Sequence, residues 1–395
     1  MAQVRTRKRG KTWSYIFEAG QVNGKRKVVE KGGFPTKDAA YKAGVEKYTD
    51  YLHGNIGITS ESITLKDFMT QWLDEVVALN VKPTTMQTYR PNIENHIFPK
   101  LGEVKVQDLT PAMLDKWIRE LQHERLSFRF IGGLHTLIKQ ALDYAVHPAQ
   151  LINSNPASYI KVPKNAPRNI VKRYVITDEQ FHALIEKYPF GTPFHIPFLL
   201  LYHTGMRLGE VLGLSWNDID FIAKKINLSR QLVYLHKRGY FLTTLKTESS
   251  KRYILIDDYL LEELQHWKIQ QAENEQEIGG RYIYTYLEDG GRILRQSKGL
   301  SCDKERVRLV CIKPNGGLVL RSTIISRLQT EGLNAHSFRH THATQLIESG
   351  AKPKGVAARL GHANALITQN LYTHNTRKLQ EETLEIFNKK LQTNG

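Results

Sequence analysis

Apolar side chains recur at every second position near the start of the chain and at helical spacing soon after it. Trp13, Tyr15 and Phe17 alternate as they would on a strand. The hairpin-turn dipeptide Asn23-Gly24 leads into a second strand near Lys27–Glu30. Apolar residues three or four apart then mark one helix, and they are Tyr41, Val45, Tyr48 and Leu52. The first segment is therefore predicted to be a small sheet with one helix covering one face.

Helical spacing dominates from residue 63 to residue 157. Thr64 and Asp67 form a helix-capping pattern, and Pro83 and Thr110 mark the starts of later helices. Four apolar faces follow one another: Phe68, Trp72, Leu73 and Val76; Met86, Tyr89, Ile93 and Ile97; Leu114, Trp117 and Leu121; Leu134, Ile138, Ala141 and Ala145. The pattern predicts a compact four-helix unit.

A segment without apolar periodicity separates this unit from the rest of the chain. It is rich in proline and basic residues, and it reads as an extended linker over residues 158–173. Two interpretations stay open: a basic clamp closing around a duplex, or a solvated tether. A third domain, 174–395, begins close to the capping-box pattern Thr177–Gln180.

Within the third domain, the long segment from Ile278 to Ser322 has a strand-like pattern. Tyr282, Tyr284 and Tyr286 alternate between glycine-rich turn signals, which predicts an inserted strand pair or small sheet. This insertion either extends the domain's own sheet over apolar surface or places basic residues on DNA or a neighbouring subunit. Those residues are Arg292, Arg295, Lys298, Lys304, Arg306 and Arg308.

The charge balance favours a polyanionic partner. Lysine and arginine number 56 against 39 acidic residues, which gives a net charge of +17. No apolar run is long enough for a membrane span, and the basic N-terminus lacks the apolar part of a signal peptide, so a cytoplasmic protein without a membrane partner is expected. Cys302 and Cys311 fit neither a disulfide framework nor a zinc site.

The uncovered face of the first sheet would be left to basic residues. They are either solvated or in contact with a DNA groove or phosphates. The candidate DNA-binding residues are Arg5, Arg7, Lys8, Arg9, Lys11, Lys25, Arg26 and Lys27.

The third domain also carries an ordered set of residues suited to phosphate chemistry. Arg207 follows a glycine turn at the start of a helix that Glu210 is expected to support, which is an arrangement that binds anions. The full set, in chain order, is Arg207, Lys246, His336, Arg339, His362 and Tyr372. Three short motifs lie within this set: His336-Ser-Phe-Arg339, Leu360-Gly361-His362 and a tyrosine ten residues later. Each motif alone is a weak indication of function, but the three in this order are specific to one protein family.

This order of residues resembles the tyrosine recombinases, and the upstream organisation is similar to that of the integrases of conjugative transposons and some phages. Ser-Phe between His336 and Arg339 stands where Asp-Leu is commoner. The resemblance implies a multidomain α+β fold with three parts: a small sheet-and-helix domain for arm-type DNA sites, a four-helix core-binding domain, and a mixed, mainly α catalytic domain with the β insertion. The expected boundaries are 1–54, 63–157, the linker 158–173, and 174–395 with a C-terminal helix after Tyr372.

The resemblance also implies the chemistry. Tyr372 attacks a phosphodiester, and Arg207, Arg339 and His362 stabilise the charge that develops on the phosphate. Lys246 protonates the leaving 5′-oxygen, and His336 assists proton transfer and orients the phosphate. Lys237 and Lys251 compete with Lys246 for its role. The implied partners are double-stranded DNA with core and arm sites, a homotetramer on that DNA and a small excision factor, in a bacterial host. No cofactor and no metal is expected.

Other functions are weighed against this one. His336, His340 and His342 suggest a metal-binding face, but no carboxylate partner accompanies them. A type IB topoisomerase uses the same nucleophile, but a separate arm-binding domain has no purpose in simple relaxation. A catalytically silent DNA-binding protein of the same fold is the other alternative, and the presence of all six residue types argues against it.

Overall fold

A computed structural model of the chain describes residues 4–22, 25–52, 62–163, 174–245, 250–297, 300, 302–361 and 384. The chain divides into two compact units, Met1–Val171 and Lys172–Gly395. The strands and helices of the first unit are β1 (Arg5–Arg9), β2 (Thr12–Val22), β3 (Lys25–Phe34), α1 (Lys37–Leu52), α2 (Leu65–Gln71), α3 (Ala78–Asn80), α4 (Pro83–His96), α5 (Phe98–Leu101), α6 (Pro111–His123) and α7 (Phe128–Val146). A π-helical turn, Trp72–Val77, joins α2 to α3.

The second unit alternates helices with short strands. Its helices are α8 (Asp178–Lys187), α9 (His195–Thr204), α10 (Leu208–Leu212), α11 (Asp258–Ile278), α12 (Arg321–Thr330), α13 (Ala335–Glu348) and α14 (Pro353–Leu360). Its strands are β4 (Ile219–Asp220), β5 (Lys225–Leu228), β6 (Arg230–Leu235), β7 (Gly239–Thr244), β8 (Arg252–Leu255), β9 (Ile283–Leu287), β10 (Ile293–Ser297) and β11 (Glu305–Arg306). Among the described residues, no helix combines the length and apolar character that a membrane span needs.

The N-terminal part is an antiparallel sheet in the order β1-β2-β3, with α1 packed on it. Tyr15 and Phe17 of β2 are buried with stacked rings, and Tyr48 of α1 meets Phe17 edge-on. Gly44 lets the helix approach closely, because a Cβ there would lie 2.7 Å from the Cβ of Tyr15. The predicted sheet with one covering helix is confirmed.

Two details of this part differ from the sequence expectation. Arg5–Arg9 forms an edge strand although it has no apolar alternation, because β2 supplies its pairing partner along the whole length. Helical spacing places Tyr41 on the packed face of α1, but its side chain is 45% exposed. This prediction was wrong because small residues, Ala40 and Gly44, form that face in place of a large aromatic ring.

The candidate DNA-binding residues fall into two groups in this part. The five on β1 and the turn after it are exposed, and they are Arg5, Arg7, Lys8, Arg9 and Lys11. Within this group, Arg9 forms an ion pair with Glu30 of β3 at 3.0 Å. The remaining three, Lys25, Arg26 and Lys27, begin β3, and their side chains lie outside the described residues, as does the predicted turn Asn23-Gly24.

The helical part has a single apolar core built from the predicted faces. Ile93, Trp117, Leu134 and Ile138 are among its buried residues. Two predicted starts are confirmed: the hydroxyl of Thr64 accepts from the backbone N–H of Asp67, and that of Thr110 accepts from the N–H of Met113. Such caps are worth about 1 kcal/mol each.

The core of the helical part continues beyond the last long helix. A 3₁₀ turn, Pro156–Tyr159, follows α7, and Ile160 and Val162 pack against the same core. Apolar packing therefore reaches into the segment that the sequence assigns to the linker. The remainder of that linker, residues 164–173, lies outside the described residues.

The second unit is centred on α9, which is buried along most of its length. Its neighbours include α13 and α11, and the rings of Phe198 and Phe338 stack between α9 and α13. The capping box at Thr177 is confirmed: its hydroxyl accepts from the N–H of Gln180, whose side chain accepts from the N–H of Thr177. Two small sheets flank the helices, one in the order β4-β5-β8 and the other the hairpin β6-β7.

The predicted insertion is a three-stranded antiparallel sheet in the order β10-β9-β11. The chain that follows it enters the main core, where Leu309, Val310 and Ile312 are buried. Arg306 binds Glu275 at 2.7 Å and lies 3.6 Å from the centre of the Tyr284 ring. This packing supports the interpretation that the insertion covers apolar surface, and a deletion reaching into residues 307–317 would remove part of the core.

Candidate active site

Arg207 owes its position to a left-handed glycine between two helices. α9 ends at Thr204, and Gly205 follows with φ of 63°. A Cβ at Gly205 would lie 2.7 Å from Leu360 Cδ2 and 3.0 Å from His342 Cδ2, so both the conformation and the close approach require glycine. The chain turns there and places Arg207 at the N-cap of α10.

The Arg207 side chain is fixed by two partners. Its Nη1 donates to Glu210 Oε1 at 2.8 Å, and its Nη2 donates to the carbonyl of Gly361 at 3.1 Å. Its backbone N–H donates to Glu210 Oε2 at 2.9 Å. As expected from the sequence, Glu210 supports the start of this helix. The Arg207 side chain keeps 41% of its surface exposed, so the held guanidinium remains accessible.

Arg339 lies on α13 and is held in a similar way, but it is buried. Nη1 donates to the carbonyl of Gly205 at 3.1 Å, and Nη2 donates to the carbonyl of Leu360 at 2.7 Å. Burial, together with the nearby charge of Arg207, lowers the pKa of Arg339 to about 9. The side chain is therefore still a cation at neutral pH. The structure thus brings Arg207 and Arg339 together around consecutive carbonyls, Leu360 and Gly361.

Glu210 is the buried counter-charge of this cluster. It is 1% exposed and also pairs with Arg252, whose Nη2 lies 3.0 Å from Glu210 Oε2. Burial alone would raise the pKa of Glu210, but the hydrogen bond and charge of Arg252, with those of Arg207, outweigh it and lower the pKa. The carboxylate is therefore ionised and neutralises part of the local positive charge.

Arg252 is a member of this network that sequence reasoning missed. It lies on β8, its side chain is 7% exposed, and its Nε donates to the carbonyl of Arg359 at 2.7 Å. A basic residue within an otherwise apolar strand pattern was the available signal, because a buried arginine needs an acidic partner. The identity of that partner, Glu210, depends on tertiary structure.

His336 opens α13 three residues before Arg339. The side-chain oxygen of Asn334 caps the helix by accepting from the N–H groups of His336 and Ser337. The imidazole of His336 is exposed and packs edge-on against His340, with 5.0 Å between ring centres. Residues three apart are neighbours on a helix surface, so His336 and Arg339 are adjacent on α13.

Three of the six residues predicted for the site lie outside the described ranges: Lys246, His362 and Tyr372. The C-terminal helix predicted after Tyr372 lies outside them too, apart from Leu384. Strand β7 ends before Lys246 and strand β8 begins after it. β7 pairs with β6, and β8 pairs with β5. The roles of these three residues remain predictions.

Sequence profiles of known families match all three parts of the chain. The profile described as the phage integrase family matches residues 175–378, just over half of the chain. An N-terminal SAM-like domain of phage integrases matches residues 64–122, and an arm DNA-binding domain matches residues 3–46.

Individual relatives agree with these profiles. A XerC-like tyrosine recombinase of Caldanaerobacter subterraneus is 28% identical over 378 residues, which is 93% of each chain. The transposase from transposon Tn916 of Enterococcus faecalis is 22% identical over 86% of this chain and 81% of its own. In structure, the Tn1549 transposon integrase, solved with transposon right end DNA, superimposes with a TM-score of 0.64 at 20% identity, over 82% of this chain and 99% of that one.

The profile that matches more than half of the chain defines its class, the enzymes that transfer DNA strands. The chain belongs to the phage integrase family, the tyrosine recombinases, whose members transfer DNA strands between specific sites.

Proposed function

We propose that this protein is the integrase of a mobile element and that it cuts and rejoins DNA through a covalent 3′-phosphotyrosine on Tyr372. The observation that carries the proposal is the pair of arginines, Arg207 and Arg339, held by neighbouring carbonyls. Fixed cationic donors of this kind stabilise charge that develops on a phosphate, because they need no reorganisation during the reaction.

The proposed reaction begins with attack of the Tyr372 oxygen on phosphorus. A phosphorus–oxygen bond to Tyr372 forms, the bond to the 5′-oxygen breaks, and the tyrosine proton is lost with the assistance of His336. Lys246 supplies a proton to the leaving 5′-oxygen. Arg207, Arg339 and His362 donate to the non-bridging oxygens.

The energy of the broken phosphodiester is kept in the phosphotyrosine. A new 5′-hydroxyl can therefore attack it and restore a phosphodiester without a nucleotide cofactor. Recombination of two duplexes cuts four strands, and each protomer supplies one nucleophile. The proposed active assembly is therefore a homotetramer on DNA that passes through a four-way junction.

The proposed division of labour follows the three parts of the chain. Residues 1–54 bind arm-type sites, residues 63–157 bind the core site, residues 174–395 carry out strand cleavage and transfer, and residues 158–173 link the two. A small excision factor would set the direction of the reaction. Because the substrate is the element's DNA, the place of action is the cytoplasm of a bacterial host.

A nicked attachment-type duplex tests the proposed function. The nick allows the short fragment that carries the new 5′-hydroxyl to diffuse away, so that the covalent adduct accumulates and can be seen on a denaturing gel. Formation of the adduct followed by strand exchange is the expected result. Relaxation of supercoiled DNA without exchange would indicate a topoisomerase, and binding without any adduct would indicate a silent DNA-binding protein.

The role of Lys246 has its own test. A Lys246→Ala variant is expected to cleave poorly on an ordinary substrate, because the leaving 5′-alkoxide lacks its proton donor. A substrate with sulfur at the 5′-bridging position should restore its cleavage, since a thiolate leaves without protonation. The same substrate should not restore cleavage by the Arg207→Ala variant. If it restored cleavage by Lys251→Ala and not by Lys246→Ala, the general acid would be Lys251.

The arm-binding role of the first sheet predicts a change in salt dependence. Replacing the exposed cations Arg5, Arg7 and Lys8 by alanine should weaken arm-site binding and flatten the plot of log affinity against log salt. The slope should fall by about 0.9 for each phosphate that is no longer neutralised. Cleavage of the core site should be unchanged.

The matched control removes three lysines of α1, which are Lys37, Lys42 and Lys47. Lys42 pairs with Asp38 on this helix. An equal loss of salt dependence in both triple variants would contradict a specific role for the cations of β1.

A further inference from the structure

The C-terminal end of α14 binds three arginines through three consecutive carbonyl oxygens. The carbonyl of Arg359 accepts from Arg252 Nε at 2.7 Å, and the next carbonyl, that of Leu360, accepts from Arg339 Nη2 at 2.7 Å. The carbonyl of Gly361 accepts from Arg207 Nη2 at 3.1 Å. The last carbonyls of a helix lack intrahelical partners and carry the negative end of its dipole, so they attract cations.

The side chain of Arg359 anchors this turn to three other elements. Its Nε donates to His342 Nε2 of α13 at 2.9 Å, and its Nη1 donates to the carbonyl of Leu255 in β8 at 2.9 Å. Its Nη2 donates to the carbonyl of His203 in α9 at 3.2 Å. One planar guanidinium therefore ties the end of α14 to α9, α13 and β8, the elements that carry or adjoin the site.

The tautomer and charge of His342 suit it to accept the hydrogen bond from Arg359. Its Nδ1 lies 3.0 Å from the carbonyl of Tyr202, which fixes the proton on Nδ1 and leaves Nε2 as the acceptor. Burial, together with the charge of Arg359, lowers the pKa of His342 to about 4. The imidazole is therefore neutral at physiological pH and does not repel the guanidinium.

We propose that Arg359, held by His342, is a positioning residue for strand transfer: it fixes the turn at Leu360–Gly361 whose carbonyls orient Arg339 and Arg207. Arg359 itself points away from these carbonyls, toward His342 and the backbone of His203 and Leu255, so it acts through the two arginines. This inference rests on the proposed function, because it assigns Arg339 and Arg207 to the phosphate.

The chemistry of the substrate separates a positioning role from a general loss of stability. Arg207 and Arg339 oppose the charge on the non-bridging oxygens of the phosphate. In a methylphosphonate, one of those oxygens is a methyl group, so less charge has to be stabilised. Relative to the parent chain, a variant with misdirected arginines should therefore show a smaller fall in cleavage rate on a methylphosphonate than on a phosphodiester. A partly unfolded variant should show the same fold-decrease in cleavage rate on both substrates.

The experiment compares single-turnover cleavage of nicked duplexes that carry either group at the scissile position. Arg359→Lys keeps the charge but loses the planar fork that reaches three acceptors. We expect this variant to cleave the phosphodiester between about 10-fold and 100-fold more slowly than the parent chain, by analogy with the range for residues that orient metal ligands from the second layer. Its loss on the methylphosphonate should be smaller, with binding of DNA unchanged.

Three further variants provide controls for this test. His342→Gln retains a hydrogen-bond acceptor for Arg359, whereas His342→Leu does not. The phosphodiester cleavage rate of His342→Gln should therefore be closer to that of the parent chain. Arg230→Lys is the matched structural control, because Arg230 pairs with Asp218 at 3.0 Å and binds the hydroxyl of Ser215 at 2.9 Å without touching the α14 turn. It should lower the melting temperature and leave the ratio of the two cleavage rates unchanged.

Equal losses of Arg359→Lys on both substrates, or no loss on either, would overturn the positioning role while leaving the proposed function intact. Failure of the parent chain to form an adduct on the phosphodiester would overturn the proposed function, and the inference with it.

Discussion

A Tyr372→Phe variant is expected to bind DNA with unchanged affinity and to form no covalent adduct. The substitution removes one oxygen atom and no charge, so the groups that hold the DNA are retained while the proposed nucleophilic oxygen is absent. Adduct formation is measured on a denaturing gel, and binding is measured by gel shift at the same salt concentration.

Tyr202→Phe is the matched control for this prediction. The Tyr202 hydroxyl binds Gln345 at 2.9 Å and also binds Asp178, and its ring stacks on Phe181. Its loss should affect local packing and leave the adduct in place. An adduct that persists in Tyr372→Phe would show that another side chain is the nucleophile.

Replacing Glu210 by glutamine is expected to cost the fold roughly 3–5 kcal/mol, the range for removing one partner of a buried ion pair. Arg252 would remain buried without its counter-charge, and Arg207 would lose the partner that sets its orientation. Cleavage should fall together with stability. The free energy of unfolding is measured with a chemical denaturant at neutral pH.

The same residue predicts the direction of a pH effect. Arg252 and Arg207 hold the pKa of Glu210 below its ordinary value of 4.5. Its ionised form therefore stabilises the fold above that value, and this stabilisation is lost as the pH falls through the lowered pKa. Glu210→Gln should be less sensitive to acid than the parent over that interval.

Glu331→Gln provides the comparison for Glu210→Gln. Glu331 pairs with Lys187 at the surface, at 2.7 Å, with 57% of the lysine side chain exposed. Pairs of this kind contribute about 0–1 kcal/mol. If Glu210→Gln lowered the free energy of unfolding no more than Glu331→Gln does, the account of Glu210 as a buried counter-charge would be wrong.

The sequence predicted those features that local patterns determine. Apolar spacing located the core helices, and the capping residues Thr64, Thr110 and Thr177 marked their starts. The strand β1 escaped prediction because its pairing partner, not its composition, makes it a strand. Tyr41 was misplaced because helical spacing defines a face but not which residues on it can approach a sheet.

In the candidate site, too, local motifs were predictable and contacts between distant residues were not. Arg207 and Arg339 were recognised because motifs surround them, and the structure shows what the motifs cannot: which groups hold each guanidinium. The hydrogen-bond partners of Arg252, Arg359 and His342 could not be predicted, since those partners are distant in sequence. The length of the insertion could be read from the sequence, but its entry into the main core depends on packing.

The turn at the end of α14, whose carbonyls at Arg359, Leu360 and Gly361 bind three arginines, also has a consequence for synthesis of the chain. Arg207, Arg252 and Arg339 leave the ribosome before residues 353–361, which complete the turn that orients them. A nascent chain that lacks this turn holds the basic side chains without the carbonyls that align them. On the proposed function, a partly synthesised chain therefore carries the basic side chains before it carries the turn that aligns them for strand cleavage.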